Sequence, residues 1–289
     1  MFHGFERRLS MLRLTVVLLI AAASQVGPAA GQEQVTFAQN GDAKLRVFME
    51  GTGPAIVLLP GQGRGPRDFD EVAKRLVLAG YRVVRPEPRG FGESVGPVEG
   101  VTLRDNARDV AAAIEKVVAA PAIVAGWAYG NRIARMIARD QPELVRGVVL
   151  IAAGGKFPPK FEVMGDLMTY QNKSLSLEKR AEAARKILYG PKSTISVTEM
   201  RIDEVSAATI KAQSLPFPLE AWWDGGKAPM LVLQGLHDVL APLENGRSLR
   251  QDYPERVTLV EFEDLGHAMV RERPDLVADA IVTWAKKLK

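Results

Sequence analysis

The chain has 289 residues, 47% hydrophobic and 25% charged, and it contains no cysteine. That length and apolar content suit one large core with room for an insertion, and exclude a mini-protein, a disulfide scaffold and a disordered tail. The missing cysteines exclude iron–sulfur clusters, thiolate zinc sites and a cysteine nucleophile, and three histidines leave little for a histidine-rich metal site. The formal charge is +4. The basic residues are interleaved with acids and carry no recognition motif, so no nucleic-acid partner is expected.

Arg7, Arg8 and Arg13 precede and enter an apolar run from Leu14 to Ala23, and Ala29-Ala30-Gly31 stands before Gln32. A charged n-region, an apolar h-region and a small-residue cleavage site make a secretory signal. The run is short for a membrane span. Residues 1–31 are therefore predicted to be a cleaved signal peptide. Its removal takes away three Arg and one Glu and leaves a charge of +2. The mature protein is expected to be periplasmic or secreted, with no stable membrane span.

Val35–Gln39 and Leu45–Met49 read as a hairpin turning at Asn40-Gly41-Asp42. Ala55–Leu59 is a continuous apolar run, as in a strand buried on both faces. Arg67–Ala79 places Phe69, Val72, Ala73, Leu76 and Val77 at helical spacing, and Gly80 ends it. Tyr81–Arg85 is a strand, Thr102 caps a helix running to about Ala119, and Ala122–Ala125 is a short strand. Tyr129–Asp140 is a helix and Val148–Ala152 a buried strand. Later, strand Met230–Leu233, helix Leu243–Gln251, strand Val257–Phe262 and helix Pro274–Leu288 complete the chain. Such alternation predicts an α/β protein with a mainly parallel, doubly wound sheet, whose chemistry lies at the carboxyl ends of the strands.

The stretch from about 155 to 225 breaks this rhythm. Phe161–Gln171, Leu177–Leu188 and Val197–Ala212 read as helices with no strand between them, punctuated by Pro158-Pro159, Gly190-Pro191 and Pro216-Phe217-Pro218. We expect a core of residues 32–154 and 226–289 with a helical cap insertion at 155–225, placed over the sheet edge where sites lie. A packed peripheral layer is the plainer alternative.

Strand Ala122–Ala125 runs through Gly126-Trp127-Ala128-Tyr129-Gly130 into a helix. This strand–turn–helix resembles the nucleophile elbow, G-x-S-x-G, of the α/β-hydrolase superfamily, and the likeness extends over essentially the whole mature chain. The glycines are needed because the turn is sharp and its centre strained. Ala128 stands where the family carries serine; its methyl group cannot attack a carbonyl. The resemblance implies that Asp238, in Gly235-Leu236-His237-Asp238, is the acid and that His267, in Leu265-Gly266-His267, is the catalytic histidine. His237 is expected to be a loop residue. Leu59-Pro60-Gly61-Gln62-Gly63 resembles the family's oxyanion loop, so the backbone N–H groups of Gln62 and Tyr129 would form the oxyanion hole. Arg89-Gly90-Phe91-Gly92-Glu93-Ser94 resembles a family stretch that turns the chain near the site. Trp127, Phe157, Trp222, Trp223 and Met269, with Tyr129, are candidates to line an apolar substrate pocket beneath the cap.

Three functions stay open on these residues. One is a hydrolase-type site for a small ester, amide or lactone, with His267 activating water directly. Another is a non-hydrolytic enzyme in which the His–Asp pair moves a proton, as in lyase-like or cofactor-free oxygenase-like relatives. The third is a ligand-binding pseudo-enzyme. A small molecule is the expected partner in each. No P-loop or dinucleotide fingerprint is present, so no cofactor is expected.

Overall fold

In a computed structural model, which describes residues 32–119 and 121–288, the expected hairpin comes first among the described elements. The segment read as a signal peptide lies outside the described residues. Strands β1 (Gln34–Asn40) and β2 (Ala43–Glu50) pair antiparallel. They are followed by β3 (Ala55–Leu59), β4 (Arg82–Pro86), β5 (Ala122–Trp127), β6 (Val145–Ile151), β7 (Met230–Gly235) and β8 (Val257–Phe262). All eight form one sheet in the order β1-β2-β4-β3-β5-β6-β7-β8. The strands from β3 to β8 run parallel, and β2 joins them antiparallel to β4.

The continuous apolar runs arise because both faces of the sheet are covered. Along β3, Ile56 and Leu58 enter one core cluster while Val57 and Leu59 enter the other. Successive strand side chains point to opposite faces, so a doubly covered strand must be apolar at every position. The first cluster takes Val72 and Leu76 of α1 (Asp70–Leu78), a helix preceded by a 3-10 turn at Pro66–Phe69. The second takes Val110 and Ile114 of α2 (Leu103–Val117), and Ile133 and Ile137 of α3 (Tyr129–Asp140). At the start of α2 the Thr102 hydroxyl accepts the Asp105 N–H at 3.2 Å, and the Asp105 carboxylate accepts the Thr102 N–H at 3.0 Å. Two donors that a helix start leaves orphaned are thereby satisfied.

Between β6 and β7 the chain is helical and irregular, without a strand. It holds α4 (Met164–Gln171), α5 (Leu177–Leu188) and α6 (Ala207–Ala212). The sequence pattern suggested one helix over Val197–Ala212. Instead Arg201 adopts a left-handed conformation (φ 49°), only a 3-10 turn follows at Ile202–Glu204, and Ser206 starts α6 as its N-cap. The Ser206 N–H leaves to the Gly63 carbonyl at 2.9 Å, so a contact across the molecule outweighs local helix propensity. The chain closes with α7 (Glu244–Asp252), the single turn α8 (Met269–Glu272), which sequence periodicity did not reveal, and α9 (Pro274–Ala285).

Candidate active site

The turn between β5 and α3 is strained at its apex. Ala128 has φ 50° and ψ −110°, a conformation that costs a residue bearing a Cβ about 1–3 kcal/mol. Its N–H bonds to the Ile151 carbonyl at 2.9 Å, and its own carbonyl accepts from Asn131 N–H at 3.1 Å. The flanking glycines are obligatory. A Cβ on Gly126 would stand 2.1 Å from the Gly130 carbonyl carbon, and one on Gly130 would stand 2.3 Å from the Leu59 carbonyl oxygen.

Asp238 follows β7 and His267 follows β8, and register brings the two loops together. His267 Nδ1 lies 2.9 and 3.0 Å from the two Asp238 oxygens. The Asp238 side chain has no solvent exposure, and its Oδ1 also accepts the N–H groups of Leu240 (3.0 Å) and Ala241 (2.7 Å). Charge-assisted bonds of this kind hold an ionised carboxylate out of water. With Nδ1 engaged, Nε2 is the ring nitrogen left for chemistry, and no partner occupies it among the described residues. Trp127 Nε1–H donates to the His267 carbonyl at 2.8 Å. His237 is exposed on its loop.

The loop after β3 closes the other side. A Cβ built on Gly61 would be 3.6 Å from the Ala128 methyl, so this loop lies directly against the elbow. Among the described residues the backbone N–H groups of Gln62 and Tyr129 make no hydrogen bond to a backbone acceptor. The loop is clamped from the segment between β6 and β7. Gly63 N–H donates to Gln213 Oε1 at 3.0 Å, and Gln62 Nε2 donates to the Gln213 carbonyl at 3.1 Å.

These groups surround a cavity of about 190 Å³. Its floor is Ala128, Gly61, Gln62 and Ala152, with His267 at one side. Its roof is Pro159, Leu167, Tyr170, Gln171 and Leu188, all between β6 and β7. Of the aromatic candidates, Trp127 and Tyr129 line it.

Phe157, Trp222, Trp223 and Met269 do not line the cavity, which corrects the expectation for these four. Phe157 is 43% exposed, because Asn245 pins its backbone at both N–H (2.9 Å) and carbonyl (2.8 Å) on the outer side of the loop. Trp222 and Trp223 are buried against the Arg135 guanidinium, with ring centroids 4.4 and 5.1 Å away. Met269 is wholly enclosed in the core.

Two arginines in the wall were not singled out by motif. Arg64 is buried and meets Asp68 through Nε (2.7 Å) and Nη2, and gives Nη1 to the Tyr170 hydroxyl at 3.1 Å. Burial pushes the Asp68 carboxyl up, but the charges and hydrogen bonds of Arg64 and Arg271 outweigh it and hold the carboxyl below its ordinary value. Arg132 is the second, four residues after Ala128. That spacing is one helical turn and was the available signal. Burial raises the Tyr129 phenol to about 12, partly offset by Arg132 and Asn106, so the phenol stays neutral at physiological pH. Among the described residues, no group of three or more His, Asp and Glu side chains converges as a metal site requires.

The model of the alpha/beta hydrolase family matches residues 56–280. The chain belongs to that family. It is 25% identical over 264 residues to a non-heme chloroperoxidase of Streptomyces lividans, covering 83% of this chain and 96% of that one. The esterase EaEST of Exiguobacterium antarcticum superposes with a TM-score of 0.76 at 19% identity, covering 88% of this chain and all of that chain. Rv0554 of Mycobacterium tuberculosis superposes with a TM-score of 0.75 at 24% identity, again covering 88% and 100%. At those identities the two structural likenesses are of fold. In this hydrolase-family chain no helix among the described residues is long and apolar enough to cross a membrane.

Proposed function

We propose that the cavity is a hydrolase-type site for a small ester, amide or lactone, in which Ala128 holds the nucleophile position without supplying a nucleophile. The observation that carries this reading is the His267–Asp238 pair, bonded at 2.9 and 3.0 Å beside a cavity floored by Ala128. Asp238 holds the imidazole with Nδ1 protonated, so Nε2 is the base. Nε2 takes a proton from water as the water oxygen bonds to the carbonyl carbon. The carbonyl oxygen gains negative charge and receives the N–H groups of Gln62 and Tyr129. Backbone donors aimed at developing charge are a large source of transition-state stabilisation. Collapse breaks the bond to the leaving group, which takes the proton from the imidazolium. The products are an acid and an alcohol or amine, and one water is consumed.

Loss of a triad serine costs about a million-fold in kcat in a protease, leaving about 10³–10⁴ over water. The water route therefore suits activated substrates. Ala128 itself favours a second reading, in which the same pair abstracts a proton from a carbon acid and no nucleophile is needed. One experiment separates them. Turnover of p-nitrophenyl acetate is measured for the natural chain, Ala128→Ser, and Ala128→Ser with His267→Ala. A large, histidine-dependent gain in Ala128→Ser supports the hydrolase-type site. A folded but silent Ala128→Ser counts against it and directs attention to solvent-proton exchange into bound ligands.

Export belongs to the same proposal. Residues 1–31 direct the chain out of the cytoplasm and are removed before Gln32. Cell fractionation with N-terminal sequencing tests this, and an intact Met1 in the cytoplasmic fraction would refute it.

A further inference from the structure

Elsewhere in this molecule buried guanidinium groups meet carboxylates. Arg64 is paired with Asp68, Arg85 with Glu33, Glu50 and Asp70, Arg89 with Asp109, and Arg180 with Asp203. Arg135 of α3 breaks this pattern, and the solvent-exposed Arg132 stands beside it. They stand three residues apart on neighbouring turns, and among the described residues neither has an acidic partner. Arg135 is 0% exposed. Its Nη2 donates to the Gly154 carbonyl at 2.7 Å and to Asn131, while its Nη1 is buried with no partner. Burial, reinforced by the charge of Arg132, draws its proton affinity well below the ordinary value.

Arg132 lies above the rings of Trp222 (5.5 Å) and Tyr129 (5.8 Å) and forms part of the cavity wall. It makes no hydrogen bond or ion pair among the described residues. Arg132 is exposed to solvent in the open cavity, and desolvation by the surrounding protein lowers its proton affinity, offset in part by Tyr129. Two like charges set together without an acid repel, and the cost falls on Arg135, the one held out of water. A bound anion would supply the missing charge.

We propose that this cavity takes ligands bearing a free carboxylate, with Arg132 as the residue that recognises it. The reacting end of that ligand rests on the hydrolase-type reading above; the substrate class is then a half-ester, acidic amide or acidic lactone. The planar guanidinium matches the two oxygens of a carboxylate. Arg132 and Ala128 line the same cavity, so one short acid can present its carboxylate to the first and its reacting carbonyl beside the second. The small cavity volume suits a short acid. The Arg135 charge, held behind Gly154 and Trp222, adds attraction without contact.

The test is titration calorimetry on the mature natural chain with monomethyl glutarate, dimethyl glutarate and inorganic phosphate, repeated on Arg132→Met and Arg132→Lys. We expect monomethyl glutarate to bind about tenfold or more tighter than its neutral diester. Arg132→Met abolishes that preference, and Arg132→Lys, which keeps the charge but not the fork, retains part of it. Circular dichroism melts establish that each variant is folded. No binding of the half-ester at about millimolar concentration overturns the proposal. So does equal binding of the diester, a preference that survives Arg132→Met, or tighter binding of phosphate. Esterase gain in Ala128→Ser without any charge preference defeats this inference alone. A charge preference lost in Arg132→Met, with Ala128→Ser silent on both p-nitrophenyl acetate and monomethyl glutarate, defeats the hydrolase-type reading and leaves the carboxylate site standing.

Discussion

The Trp127 indole donates its Nε1–H to the His267 carbonyl at 2.8 Å, and the two rings lie 5.8 Å apart between centroids. One residue before the elbow apex thus holds the loop that carries the histidine. Strand β5 and the turn after β8 are distant in sequence, and this bond sets their separation directly across the site.

Trp127→Phe should therefore act on both stability and chemistry. It removes the donor, orphans a buried carbonyl and opens a small void, for a loss of about 1–3 kcal/mol. In the Ala128→Ser background it should also lower kcat about ten- to a hundredfold, because small displacements of a base are expensive. Urea denaturation and ester turnover measure the two effects, and an unchanged kcat would show that the histidine loop does not depend on this bond.

Ala128→Gly should stabilise the protein. The apex has φ 50°, which only glycine adopts without steric cost, so relief of strain exceeds the added chain entropy by about 1 kcal/mol. A rise in the urea midpoint with an unchanged slope is the expected result.

Gly130→Ala should do the opposite. Its new Cβ would press on the Leu59 carbonyl oxygen at 2.3 Å and the Pro60 carbonyl oxygen at 2.8 Å, both backbone atoms that cannot swing aside. A loss of about 3 kcal/mol or more is expected, with the loop after β3 pushed off the turn at Ala128. A stable, crystallisable Gly130→Ala with an undisturbed loop would contradict this packing.

Asp68 links Arg64 of the cavity wall to Arg271, whose Nη1 reaches it at 2.7 Å. Asp68→Asn leaves two guanidinium groups around a neutral amide and should cost about 3–5 kcal/mol at pH 7. The Asp68 carboxyl is held below its ordinary value of 3.8. Its stabilisation is therefore complete above that pH and is lost as pH falls through the lowered value in the folded protein. The gap between natural chain and Asp68→Asn should stay constant from pH 7 to about pH 5 and narrow only under strong acid. Denaturant titrations across that range test the sign.

The parts of the candidate site that sequence made legible share one property. Ala128, Asp238, His267 and Gln62 each sit in a short turn directly after an apolar strand. In a parallel sheet those turns gather at one edge, so a linear pattern locates them. The roof was not legible in that way. Leu167, Tyr170, Gln171 and Leu188 reach the cavity from helices whose placement depends on contacts such as Gln213 with the loop after β3. Trp222 and Trp223 show the same limit from the other side. Their aromatic character suits a pocket or a core equally, and the buried Arg135 decides for the core.

By itself the sequence determined the order of the strands and of most helices, the need for glycine at 126 and 130, and the presence of an acid and a histidine after the last two strands. These follow from hydrophobic period and from backbone geometry, which act over a few residues. Only the tertiary structure decided which side chains share the cavity and that Arg132 faces it with no acid beside it. Charge compensation and packing are properties of neighbours in space, and those neighbours can be far apart in the chain, as Gln62 and Gln213 are.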